Sequence, residues 1–80
     1  MRDRIPRQEI EKWLSKLRME LKEVKARNKK GEELLMNIQA YVHDTMYFLK
    51  EEDYVKAWEA VSFAWGLFEA SVDIGVLVKE

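Results

Sequence analysis

Apolar residues along this chain recur at helical spacing in three blocks separated by two short polar breaks. In the first block Ile10, Leu14, Leu17, Leu21 and Val24 follow one another at steps of 4, 3, 4 and 3. That is a narrow heptad seam, and it predicts a helix over about residues 4–28. Trp13 flanks the seam and widens it. Pro6 suits a first turn, where a missing N–H costs nothing. Glu9 and Glu11 sit near the positive end of the helix dipole, and Lys25, Arg27 and Lys29 near the negative end. Gly31 then reads as a stop signal.

The second block, about residues 32–50, carries a broad apolar face of Leu34, Leu35, Ile38, Tyr41, Val42, Thr45, Phe48 and Leu49. Asn37, Asp44 and Glu51 mark its wet side, and Met36, Ala40, His43 and Tyr47 form an intermediate strip. The link over residues 50–53 is short, so the second and third helices are expected as antiparallel neighbours. Asp53 is a good N-cap for the third.

The third block, about residues 53–74, is apolar around most of its circumference: of residues 54–78, seventeen are Tyr, Val, Ala, Trp, Phe, Leu or Ile. One face carries Tyr54, Trp58, Val61, Trp65, Phe68 and Val72. A second carries Ala57, Ala60 and Ala64, small enough for another helix to approach closely. A third carries Phe63, Leu67, Ala70 and Ile74. The polar remainder is a thin stripe of Glu59, Ser62, Gly66, Glu69 and Asp73. Gly75 is the stop signal, and residues 76–78 are expected to fold back as an apolar cap. No strand pattern is read. The expectation is an all-α single domain over residues 1–80, a three-helix bundle in which an antiparallel hairpin of helices two and three has helix one packed across it.

An amphipathic helix needs one apolar stripe; a helix apolar on several sides must be covered on several sides. A chain of 80 residues has a marginal core, and the usual supplements are disulfides, a metal or oligomerisation. With no cysteine and a single histidine, disulfides, thiolate metal sites and multi-histidine sites are excluded. Self-association is the remaining supplement, so Tyr54, Trp58, Val61, Trp65, Phe68 and Val72 form a candidate interface with a second copy (a homodimer) or another protein.

Hydrophobic residues at 48% and charged residues at 36% mark a folded chain rather than a disordered one. The charged residues are mostly Glu and Lys and the amides are few, a balance that leans towards a heat-tolerant source. The longest uncharged run of the third block, residues 60–68, is nine residues, against roughly 20 needed to span a bilayer. No membrane role is expected, and the charged N-terminal stretch lacks a secretory leader, so the expected location is cytoplasmic.

Charge is segregated along the chain. Residues 1–30 hold 11 Lys and Arg against 5 Asp and Glu, a net of +6, while residues 31–80 hold 3 against 10, a net of −7. Self-complementarity explains this, with the basic helix lying over the acidic hairpin. The alternative is a nucleic-acid accessory role, with Lys12, Lys16, Lys22, Lys25, Lys29 and Lys30 as its basic surface. The overall net charge of −1 and the placement of the aromatics on the apolar third helix rather than among the basic residues favour the first.

No catalytic, cofactor-binding or metal-ligating set emerges, and the chain is read as a non-enzymatic protein with no cofactor. Glu69 and Asp73 stand four apart with Glu59 behind them, but a di-iron bundle needs Glu-x-x-His pairs, and the residue three before His43 is Ala40. His43 has Tyr47 as its helical neighbour rather than Asp44. Ser62 and Ser71 have no base nearby in sequence, and no phosphate loop or dinucleotide fingerprint is present. The small all-helical chorismate mutases are similar in size, but they need several cations converging on a dicarboxylate, whereas here the cations are concentrated on helix one.

The run Ala40-Tyr41, Asp44, Phe48-Leu49, Asp53-Tyr54, Ala57, Ala60-Val61, Ala64-Trp65-Gly66 and Ala70 resembles a short archaeal family catalogued as domain-of-unknown-function family 357. The likeness extends over about residues 40–77, while helix one matches in kind. The chain departs at the turn, where Glu51-Glu52 stand in place of a Lys-Gly type pair. The resemblance implies a compact bundle of about three helices, an archaeal cytoplasm and no assigned activity, and it carries over no catalytic residues.

Overall fold

The computed structural model describes residues 6–80. Helix α1 spans Arg7–Lys22, strand β1 Val24–Ala26, helix α2 Lys29–Lys50, helix α3 Tyr54–Asp73 and strand β2 Leu77–Lys79. The three helices form the expected bundle. Arg7 at the start of α1 reaches the Leu49 carbonyl at the end of α2, while β1 and β2 meet at the opposite end. The helices therefore run up, down and up, with α1 alongside α3.

The helix seams do what their spacing dictates. Ile10, Leu14 and Leu17 of α1 are buried, as are Ile38, Val42 and Leu49 of α2. Ala57, Ala60 and Ala64 are buried too, and these methyl-sized side chains let α3 lie close against its neighbours. Asp53 caps α3, its carboxylate accepting from the Lys56 N–H at 3.1 Å. Gly75 ends the turn beyond α3 at φ +82°, the left-handed conformation glycine adopts without penalty. The Met36, Ala40, His43 and Tyr47 strip, read as intermediate, is exposed throughout.

Three expectations are corrected. Helix one does not continue to residue 28, and its expected first residues, 4 and 5, lie outside the described residues. After Lys22 the chain turns at Glu23, and Val24, Lys25 and Ala26 pair antiparallel with Lys79, Val78 and Leu77. The ladder is lengthened by the Arg27 N–H donating to the Val76 carbonyl at 2.8 Å and the Glu80 N–H donating to the Glu23 carbonyl at 2.9 Å. The all-helical reading therefore holds for the bundle, with a two-stranded ribbon added. The apolar cap expected beyond Gly75 is β2 and its approach: Val76 and Leu77 are 8% and 1% exposed.

Gly31 is not a helix stop, and helix two begins earlier than residue 32. Asn28 is the N-cap, its side-chain oxygen accepting from the Gly31 N–H at 2.9 Å. Gly31 is buried within the first turn of α2, where a β-carbon would stand 2.1 Å from the Val76 carbonyl oxygen. It is a contact point between α2 and the ribbon.

Candidate functional site

The expected interface on helix three is largely clad by α1 of the same chain. Val61 and Phe68 are 1% and 5% exposed, and Tyr54, Trp58, Trp65 and Val72 are half-buried against the same core. The indole N–H of Trp65 donates to the Trp13 carbonyl at 2.9 Å. The Trp13 and Trp65 rings meet edge to face with centroids 5.9 Å apart, and Trp65 meets Phe68 in the same way. Satisfying the one indole donor while burying its rings is what a core position requires. Four of these six side chains retain partial access, but the flank as a whole is occupied.

The bare apolar surface of α3 lies on its outer side. The bundle measures 43 × 18 × 16 Å, a cross-section that seats three helices of about 10 Å diameter in a triangle. No helix is central, and each keeps an outward face. On α3 the helical repeat sends Val55, Glu59, Ser62, Phe63, Gly66, Glu69, Ala70 and Asp73 outward, and all eight are exposed. Phe63 is 63% exposed and Val55 56%. The Phe63 ring stacks on Tyr41 of α2, centroids 5.8 Å apart, which holds the phenyl in place at the hairpin surface. Two grooves meet at Ser62 and Phe63. One, of about 670 Å³, is bounded by Trp58 and Glu59; the other, of about 290 Å³, runs past Tyr41, Gly66, Leu67 and Ala70. A β-carbon at Gly66 would have no heavy atom within 4 Å, so the helix backbone itself is accessible there.

The electrostatics of this face are one-sided. Glu59, Glu69 and Asp73 lie on it, and the ion pairs Arg7–Glu11 and Lys79–Glu20 leave none of the three with a cationic partner among the described residues. The sole cation of α3, Lys56, is turned to the Phe48 ring, 5.8 Å from its centroid. These carboxylates do not form a chelating cluster: among the described residues, no three His, Cys, Asp or Glu side chains come together as a metal site requires.

The six lysines of the expected basic surface are exposed but divided. Lys12 and Lys16 lie 5.8 and 5.0 Å from the Trp13 ring centroid. Lys22 lines a different groove with Arg18, Leu21, Val42, His43 and Met46, between α1 and α2. Lys25 is on β1, and Lys29 and Lys30 are in the first turn of α2.

Two cations have structural partners instead. Arg7 donates from Nε to Glu11 at 2.9 Å, and the Glu11 carboxylate and then the Tyr54 hydroxyl hold its guanidinium even more firmly protonated than usual. Lys79 on β2 meets Glu20 of α1 at 2.9 Å, and this hydrogen bond raises the ammonium above the ordinary lysine range. Ser71 and Thr45 are fully buried, each hydroxyl donating to the carbonyl four residues earlier, that of Leu67 and of Tyr41. Their donors are thus satisfied within their own helices.

Sequence reasoning named Phe63, Leu67 and Ala70 as an apolar face without singling it out as the bare one. The signal that distinguishes it is the mixture of exposed small residues with carboxylates along the same outer stripe, which α1 cannot cover from the opposite flank.

The family model described as "Protein of unknown function (DUF357)" matches residues 9–77. The crystal structure of protein AF1782 from Archaeoglobus fulgidus, assigned to the same family model, is 35% identical, with a TM-score of 0.84 and 92% of each chain covered. No curated protein matches the chain. No helix among the described residues is long and apolar enough to cross a membrane.

Proposed function

The chain belongs to the archaeal DUF357 family of proteins of unknown function, and we propose that it is a non-enzymatic protein–protein interaction module that binds through the outer face of α3. The observation that carries this reading is the exposed phenyl of Phe63, held against Tyr41 between two confluent grooves. Fully burying a phenylalanine side chain is worth about 1.5–3 kcal/mol. At 63% exposure most of that is unrealised in the free chain and available to a partner. Aromatic anchors of this kind dominate interface energetics. The face expected from sequence alone has less to offer, because α1 already covers most of it.

The test is a photo-crosslinking side chain placed at Phe63 in cells of the source organism or a close relative. A discrete protein adduct is expected from position 63 and none from Ala40, which is exposed on α2. Phe63→Glu should abolish association while lowering stability by only about 0.5–1.5 kcal/mol, the worth of its stacking on Tyr41. Absence of any adduct at position 63 would overturn the reading. A nucleic-acid role is less well supported, since Lys12 and Lys16 are gathered over Trp13 while Lys22 lines another groove. RNA or DNA binding at low salt, lost when these three become Glu, would replace the interaction reading with that one.

A further inference from the structure

Resting on that reading, we infer that the occupant of the outer face of α3 is a basic amphipathic helix of another protein rather than a second copy of this chain. The face offers a wall at Phe63, a low floor at Ser62, Gly66 and Ala70, and carboxylates at Glu59, Glu69 and Asp73. A partner helix crossing α3 at Gly66 places an apolar side chain where no neighbouring side chain stands within 4 Å of a would-be β-carbon, with Glu59 and Asp73 seven residues to either side. Its flanking lysines or arginines meet three carboxylates that have no ion-pair partner among the described residues. This is helix-in-groove recognition, with apolar anchors giving affinity and charge giving orientation and partner choice.

A second copy fits poorly. A two-fold contact uses the same patch on both chains, so α3 against α3 would set carboxylate against carboxylate, and Lys56, the one cation of α3, is turned to Phe48. The chain's own basic helix cannot serve as the guest, because its apolar seam of Ile10, Leu14 and Leu17 is already buried in the bundle.

The experiment pairs a solution-mass measurement with titration of two synthetic helical peptides. Both present Leu and Phe on one face; one carries Lys along the flanks and the other Glu at the same positions. The wild-type chain is expected to be monomeric and to bind the Lys peptide at least about tenfold more tightly than the Glu peptide at low salt, with the difference shrinking as salt rises. Phe63→Ala should weaken the Lys peptide by about tenfold or more. The triple change Glu59→Lys, Glu69→Lys and Asp73→Lys should reverse the peptide preference. Equal binding of both peptides, lost in Phe63→Ala, would overturn the charge inference and leave the interaction reading standing. A wild-type dimer that Phe63→Glu converts to a monomer would do the same. Binding of neither peptide by a monomeric chain overturns the inference, and the crosslinking at position 63 then judges the broader reading separately.

Discussion

Replacing Gly31 with alanine should destabilise the protein, against the direction helix propensity alone dictates. Within a helix, alanine is favoured over glycine by about 1 kcal/mol, and Gly31 is in the first turn of α2. The added methyl, however, would stand 2.1 Å from the Val76 carbonyl oxygen, 3.1 Å from its carbon and 3.3 Å from the Ala26 α-carbon. All three neighbours are backbone, so no rotamer change relieves the overlap. The ribbon must move away from α2 by about 1 Å to restore van der Waals contact. The same carbonyl accepts the Arg27 N–H, a bond worth about 1 kcal/mol. Val76 and Leu77 move with it, and losing half of their burial costs about 2–3 kcal/mol together. After the propensity gain, the net loss is about 2–3 kcal/mol. For a domain of this size that lowers Tm by about 10–20 °C. The assay is thermal melting by far-ultraviolet circular dichroism, with Gly66→Ala as the reference because its methyl would enter open space. Gly66→Ala should raise Tm by a few degrees. A Gly31→Ala protein melting at or above wild type would refute the packing argument.

Other outcomes follow from equally local features. Glu52 is exposed and held at φ +60°, a left-handed conformation that costs a residue with a β-carbon about 1–2 kcal/mol. Glu52→Gly should therefore stabilise by about 0.5–1 kcal/mol after the greater freedom of glycine in the unfolded chain is counted, and Glu52→Ala should not, as read by urea titration. Trp65→Phe removes the donor to the Trp13 carbonyl and should cost about 1–2 kcal/mol in the same measurement. The Lys79 ammonium is raised by Glu20, so its contribution is fully present below the unfolded lysine value of ~10.4 and is lost as pH rises through the higher folded value. Wild type should lose more stability than Lys79→Met between pH ~9 and ~12, and parallel curves would show that the pair is energetically idle.

The helices were legible because their signals are local. The seam of Ile10, Leu14 and Leu17, the cap at Asp53, the stop at Gly75 and the small stripe of Ala57, Ala60 and Ala64 all declare themselves within a few residues, and each is found where its chemistry places it. The ribbon was not legible, because Val24 continues the heptad spacing of helix one and is buried either way, while its strand partner is Lys79. Three-residue strands carry no periodicity to read. Gly31 misled for a related reason. Its proximity to Lys29 and Lys30 suits a helix end, and the competing signal, Asn28 as an N-cap for the next helix, has the same local form. The surface of α3 was legible as a composition but not as a side. Which apolar flank is covered depends on where Trp13 of α1 lands, and that is a tertiary outcome.

The pairing of Val24 with Lys79 has a kinetic corollary. It joins positions about 55 residues apart, and closing so long a loop carries an entropic cost that grows with the logarithm of its length. The α2–α3 hairpin, by contrast, is joined by a tight turn and forms through near-neighbour contacts. Amide exchange at Lys25 and Val78 should then report the unlatching of the molecule's closing clasp, ahead of the global unfolding that sets exchange at Ile38 or Val61. A protein so arranged loosens first at the seam where the segment after its first helix and the segment after its last are stitched together.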